Sequence, residues 1–499
     1  MSTVTAKPDT GGPRLRRGAL GFPQLLAQGI ALISPTMTAV LILPLAFSDA
    51  GDSTWASYAF ATVMLLFVVF GLNQFARRST TAGSMYAYIG RGLGPAAGVL
   101  SGWALIWCYE FIGVAGMCGF AIFCQQFLEG VGIHGSVTPF VWFLLSGAIC
   151  LTVAWKDIRL SALLMLVLEG LSMLCILILG AIILFGHGIS FDTNQLTLHG
   201  ISFKGMDFSI VVCIFSLVGF ESATALGGEA KRPFKDVPRA VVWSLLITGA
   251  FMVVMGYIEV YGTRNLSTPL SSLSAPLNTL ASAYSVSAFK VPVSLGAMVS
   301  FFSLSLSCLN AGARIMMPLG GHGFLPKRLH KTHSTNLTPH AAILPYICAI
   351  VGFPVILHAC GTDPLTIFND AGTLAAFGFL FAYFMVSVAA PVYLRKLGVL
   401  KTKNVVVAVV AFLCLMVPLI GSFYPSPPYP IKLFPYIFAA YVVLGGAWLF
   451  AINKRAPGTL ARIESDLETT LAASQTGDWG DTIPSELPAD LGAAVPATA

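Results

Sequence analysis

Long apolar runs alternate with short charged turns along the chain, and no run has the every-second-residue polar period of a membrane β-strand. A segment crossing the roughly 30 Å apolar core of a bilayer must pair its own backbone groups, so runs of this length predict helices. Twelve are predicted, over residues 22–47, 55–75, 96–128, 140–155, 160–185, 208–226, 237–261, 291–319, 341–358, 365–394, 405–423 and 433–452. Residues 1–21 and 453–499 flank them as polar ends. The tail after Lys454 is rich in Ala, Thr, Ser and acid (Glu464, Asp466, Glu468, Asp478, Asp481, Glu486, Asp490) and reads as mostly disordered.

Composition strengthens the membrane reading. The 499 residues are 56% hydrophobic and 10% charged, against about 25% charged for a soluble domain, which excludes a water-soluble enzyme. With the amino terminus inside, the cytoplasmic segments hold 24 of the 28 lysines and arginines, leaving Lys204, Arg264, Lys290 and Lys432 outside. That bias puts both termini in the cytoplasm of a multi-pass protein in the cell membrane. The net charge of +6 therefore speaks of orientation rather than nucleic acid. The first run is longer than a signal-peptide core and eleven more follow, so cleavage is not expected. The ten cysteines lie mostly inside the runs, without a CxxC pair, and read as packing residues. Catalytic and metal residues are not expected: GxSxG and HExxH motifs are missing, and His322, His330, His333 and His340 lack metal spacing in a basic loop.

Two runs are interrupted near their middle. In the first, Ser34-Pro35-Thr36 sets a proline between two hydroxyls, and Pro35 removes one backbone donor and crowds the preceding turn. In the sixth, Gly219-Phe220-Glu221-Ser222 sets a glycine and an acid inside a short apolar run. Each alone reads equally as a kink or a packing contact. Together, in the first helix of two units of opposite topology, they predict a transporter of inverted repeats with a mid-membrane site. The units are 22–185 and 208–394, with 405–452 apart.

The stretch Gly219 to Ser222, followed by Gly228-Glu229-Ala230-Lys231-Arg232-Pro233 and Val237-Pro238-Arg239-Ala240, resembles the sixth span and following loop of amino acid-polyamine-organocation family permeases. Ala82-Gly83-Ser84-Met85-Tyr86-Ala87-Tyr88 with Gly92, Gly94, Pro95, Gly102 and Trp103, and Asn310, Arg314, Gly323 and Pro326, agree with two further blocks of that family. The resemblance implies an all-α, leucine-transporter-like 5+5 core plus helices 11 and 12. Broken helices one and six would then hold the substrate, with Ile33, Ser34, Thr36 and Met37 on one side and Phe215, Gly219, Phe220 and Glu221 on the other. Where many members have a glycine-rich first break, this chain has Ser34-Pro35-Thr36.

The acids read as deep within the runs are Glu110, Glu169, Glu221 and Asp370, with no Lys or Arg at comparable depth. Such groups are costly in a membrane, so they must hold a proton or face a cationic guest. Glu221 reads as an amine contact or as an organiser of opened backbone. Glu169 reads as the proton-coupling carboxyl or as an interhelical hydrogen-bonding residue. Tyr109, Glu110 and Ser303 are candidate cavity-lining residues, Glu110 reading equally as a packing acid. Ser300, Ser303 and Ser307 offer either a sodium-ligating face or close packing, and Phe220 either a gate or a packing contact. The expected activity is secondary active import of an amino acid or related amine by alternating access, driven by protons, with sodium as the other candidate ion and no further cofactor. Exchange, polyamine transport and amine sensing are the alternatives.

Overall fold

The computed structural model describes residues 15, 17–79, 85–156, 158–186, 192–197, 203–264, 266–273, 275–424, 427–456 and 458–476. Ala82, Gly83 and Ser84 of the loop motif, and the tail beyond Thr476, lie outside them. Helices carry the fold, and among the described residues the one β-bridge joins Leu20 to Ala230. Eleven helical stretches are long and apolar enough to cross a bilayer, the first being the 55-residue Phe22–Ala76.

That first stretch is not one rod. It comprises α1 (Phe22–Ile33), a break at Ser34, a short turn Pro35–Met37, a π-helical turn Thr38–Ile42, α2 (Leu43–Ala50) and, beyond the turn Gly51–Ser53, α3 (Thr54–Ala76). Then follow α4 (Met85–Leu93), α5 (Pro95–Gly130), α6 (Pro139–Lys156), α7 (Ile158–Phe185), the short α8 (Thr193–Leu196) and α9 (Phe203–Ser216). After α9 the chain opens at Gly219 and continues as a 3-10 helix, Phe220–Glu229. The remainder is α10 (Pro233–Thr263), α11 (Pro276–Ala283), α12 (Lys290–Gly321), α13 (His340–Ala359), α14 (Pro364–Lys396), α15 (Thr402–Gly421), α16 (Phe434–Arg455) and α17 (Thr459–Thr476). Each predicted run lies within about two to five residues of a helix, as expected where apolar length decides the element. The short helices α4, α8 and α11 carry too little apolar sequence to register as runs.

Small residues let the central helices approach closely. A Cβ on Gly119 of α5 would lie 2.3 Å from the Phe301 ring of α12, and one on Gly116 would lie 2.3 Å from the Ser305 hydroxyl. Without a hydrophobic drive between helices in lipid, such van der Waals contact is what holds them together. Outward-facing Leu144 on α6, Leu171 on α7, Leu413 on α15 and Val443, Leu444 and Phe450 on α16 form the apolar belt. The described cysteines form no disulfide, and most are buried packing residues, though Cys348 and Cys360 are exposed.

Two features were not expected from the sequence. Within the tail read as mostly disordered, Thr459–Thr476 form α17, which docks on the bundle with Ile463 and Leu467 buried. Those two residues, one turn apart, supply an apolar stripe that the polar composition conceals. The bundle also holds a deep cation, because Arg314 on α12 is 1% exposed and pairs with the equally buried Glu229. Its position near the end of an apolar run made it read as a loop residue.

On the face opposite the start of α1, Arg264 after α10 bridges Asp52, at 2.8 Å, and Asp192, which caps α8. Burial opposes the charge on Asp192, but hydrogen bonds from Arg264 and Gln195 outweigh it and hold the carboxyl below its ordinary 3.8. A depressed carboxyl stabilises the fold above that value and loses its contribution as pH falls further. Arg264→Ala should therefore lower stability by about 1 kcal/mol, the modest value of partly exposed pairs. The deficit, read as melting temperature, should be present near about pH 6 and shrink near about pH 3. An equal deficit at both would contradict the clamp.

Candidate functional site

The two interruptions meet. Gly219 has φ +110°, a left-handed conformation that glycine adopts without steric cost. A Cβ there would lie 2.3 Å from Leu32 Cδ2 and 3.2 Å from the Leu32 carbonyl carbon, so α1 and the opened sixth run touch at their breaks. Ser34 is also left-handed, at φ 51° and ψ 70°, though it is no glycine. Its N–H closes α1 onto the Ile30 carbonyl at 2.8 Å, and Pro35 leaves the Ala31 carbonyl without its usual helical donor.

Each break is held by a buried acid. Glu221 accepts hydrogen bonds from the Tyr109 hydroxyl at 2.9 Å, the Tyr383 hydroxyl at 2.5 Å and the Gly219 N–H at 3.2 Å. The Gly219 N–H also reaches the Tyr383 oxygen at 3.2 Å. These contacts tie Glu221 to the opened backbone of its own break. The same acid ties α5 and α14 to the sixth-run break. Phe220 is fully buried and stacks on Tyr383 with ring centroids 5.2 Å apart.

Glu169 on α7 serves the first break. It accepts from the Thr36 hydroxyl at 3.2 Å and the Ser300 hydroxyl at 2.6 Å, and the Thr36 main chain also points to it. Ser34 and Ser300 hydroxyls lie 3.1 Å apart, and Thr36 and Ser172 hydroxyls 2.8 Å apart. The network thus joins the first break to α7 and α12. Below it, Gln28 of α1 donates to Ser307 Oγ at 2.8 Å, while Ser222 and Ser307 hydroxyls donate to the Gln28 carbonyl at 3.2 and 3.1 Å.

Not every candidate joins. Ile33 and Met37 are buried beside the first break, and Phe215 is half-buried on the last turn of α9. The Ser303 hydroxyl is buried without a hydrogen-bond partner, so the serine face of α12 splits: Ser300 and Ser307 work and Ser303 does not. Glu110 neighbours Cys308, Tyr346 and Tyr441 and makes no hydrogen bond to the described residues of either break. Asp370 is only half-buried. Glu259 on α10, fully buried with both carboxyl oxygens unpartnered, is absent from the sequence list because it sits two residues from the end of its run.

On the face where α1 begins, an ion pair and main-chain bonds tie three segments together. Arg314 donates to Glu229 through Nε at 2.6 Å and Nη2 at 3.2 Å, and through Nη1 to the Asn310 carbonyl at 3.0 Å. The Glu229 carbonyl accepts from Ala19 and Leu20 N–H at 2.8 and 3.0 Å, and Lys231 N–H donates back to Leu20 at 2.7 Å. The segment entering α1 is thereby stitched to the end of the sixth run and, through the ion pair, to α12.

The sequence model of the family described as Amino acid permease matches residues 24–452. The chain belongs to that family. It is 25% identical to the branched-chain amino acid permease BcaP of Bacillus subtilis (strain 168), over 78% of this chain and 83% of the relative. Identity to BcaP of Lactococcus lactis subsp. cremoris (strain MG1363) is 28%, over 71% and 78%. Identity to the mitochondrial cationic amino acid transporter 3 of Arabidopsis thaliana is 23%, over 72% and 60%. The permease is a multi-pass membrane protein and not an enzyme.

Removing one member of a buried ion pair strands the other charge, at about 3–5 kcal/mol. Arg314→Ala or Glu229→Ala alone should lower the melting temperature of the purified permease sharply. Glu229→Leu combined with Arg314→Met should recover much of that loss. A double variant as unstable as the sum of the singles would contradict direct pairing.

Proposed function

We propose that the permease is a secondary transporter that imports a neutral amino acid by alternating access, coupled to protons at Glu169. The observation carrying this reading is that two helix breaks face each other while both acids beside them are already committed to protein donors. Opened backbone then remains to receive the α-amino and α-carboxyl groups, and no free carboxylate is left at the breaks for a cationic side chain. That arrangement favours a neutral guest over a polyamine, and the two BcaP relatives, named for branched-chain amino acids, agree with an apolar side chain.

Ile33, Ser34, Thr36 and Met37, with Phe215, Gly219 and Phe220, are the proposed substrate contacts, Glu221 and Tyr109 holding the second set in place. Protonation of Glu169 converts an acceptor of two hydroxyl bonds into a donor, so one proton changes how the first break is tied to α7 and α12. The Glu169 oxygens and surrounding hydroxyls bond to one another at 2.6–3.2 Å, an arrangement that suits a proton better than sodium. One charge crossing about 100 mV is worth about 2.3 kcal/mol, or about fiftyfold accumulation.

For topology we propose twelve crossings in a 5+5 inverted repeat. At about 1.5 Å per helical residue a 55-residue stretch is more than twice as long as the apolar core, and the Gly51–Ser53 turn divides it. The lysine and arginine bias supports placing the face with the termini in the cytoplasm of the cell membrane.

In proteoliposomes, leucine, isoleucine or valine should enter with protons, without a sodium requirement, and raise the melting temperature where lysine does not. Glu169→Gln should retain substrate binding and lose substrate-dependent proton flux. Sodium dependence, or undiminished proton flux in that variant, would remove Glu169 from the role. Lysine as the stabilising guest would overturn the neutral-substrate reading.

A further inference from the structure

The docking of α17 has a specific geometry. A Cβ on Gly90 of α4 would lie 2.8 Å from Leu467 Cδ1, so the tail fills a notch that only glycine leaves open. Beside it, Arg91 Nη2 donates to the Leu467 carbonyl at 3.0 Å, while Arg91 Nε and Nη1 are buried with no partner among the described residues. Among those residues the tail carbonyl is the one acceptor this guanidinium finds. Further along, Asp466 lies 3.5 Å from His322 Nε2 at the end of α12, and the other ring nitrogen of His322 bonds the Tyr86 hydroxyl of α4.

Helix α4 has little freedom of its own. A Cβ on Gly92 would lie 2.7 Å from the Ala389 carbonyl and Cβ of α14, and one on Gly98 of α5 would lie 2.8 Å from Gly90 Cα. Tyr88 stacks on Phe75 of α3, which stacks on Tyr393 of α14, at 5.4 and 4.7 Å. Whatever shifts α4 therefore pushes on α14, and six residues before Ala389 on that helix is Tyr383, whose hydroxyl holds Glu221 and Gly219. Interiors packed this closely transmit displacement rather than absorb it.

We propose that α17 is a built-in latch: docked over Gly90 and Arg91 it pins α4 against α14 and so restrains the break at Gly219, and its release frees that break to move. The effect on rate rests on the transport reading above; the structural coupling does not. Leu467→Asp places a charge in the buried contact, and the pair Ile463→Ala with Leu467→Ala removes the apolar stripe without adding charge. In full-length protein, hydrogen exchange followed by mass spectrometry should speed up by about fivefold or more in 85–93 and in 217–224 in both variants, the lower end of a typical coupling between sites. Counterflow of leucine in proteoliposomes should rise by a similar factor with substrate affinity unchanged. Faster exchange confined to 459–467 with 217–224 unaltered would overturn the latch. Coupled exchange in a protein that moves no amino acid would leave the latch standing and sink the transport reading instead.

Discussion

A helix opened inside a bilayer must find other protein groups for the backbone bonds it gives up, since no water is there to take them. Both interruptions meet that demand with a carboxylate fed by hydroxyls from neighbouring helices. Glu221 gathers Tyr109, Tyr383 and Gly219, and Glu169 gathers Thr36 and Ser300. Without these acids the breaks would be sites of unpaired polar groups costing several kcal/mol each. With them, the interruptions are fixed parts of the fold, and the rest of the bundle is arranged around two held-open turns.

The acids look different along the chain and in three dimensions. Counted along the chain, they form an excess of negative charge at membrane depth, which points to a cation. In three dimensions the lone pairs of Glu221 are spent on Tyr109 of α5 and Tyr383 of α14, and those of Glu169 on Ser300 of α12 and Thr36 of the first break. One buried cation that does exist, Arg314, is matched by Glu229 rather than left for a ligand. Charge counted along the chain therefore does not show which polar groups stay open; that depends on which remain after the protein has satisfied itself.

Apolar length and the two interruptions were legible in the sequence because each is a local property: a run either covers the bilayer or does not, and proline or glycine acts on its own turn. Glu169 and Glu221 were legible as isolated acids in apolar surroundings. Their partners were not, since Tyr383 lies 162 residues from Glu221 and Ser300 lies 131 from Glu169. Gln28 carried a faint signal as a lone amide in an apolar run, while Arg314 and Glu229 looked like ordinary loop charges at run ends. Helix α17 escaped because Leu460, Ile463, Leu467 and Leu471, three or four residues apart, are scattered through a polar background that was judged by composition rather than spacing.

The Arg264 bridge has a consequence for how the molecule yields. It fastens together the turn after α2, the cap of α8 and the end of α10, three points far apart in sequence. Part of it is open to solvent, and dissolved ions, which screen exposed charges over a length of about 10 Å at 0.1 M, weaken such a pair as their concentration rises. Motion on that side of the bundle is consequently sensitive to the salinity of the surrounding fluid, whereas the Arg314 seal, sunk among helices, is shielded from it. The two faces of the bundle are thus fastened by different means, one by a bridge partly open to the bathing medium and the other by a pair enclosed in protein.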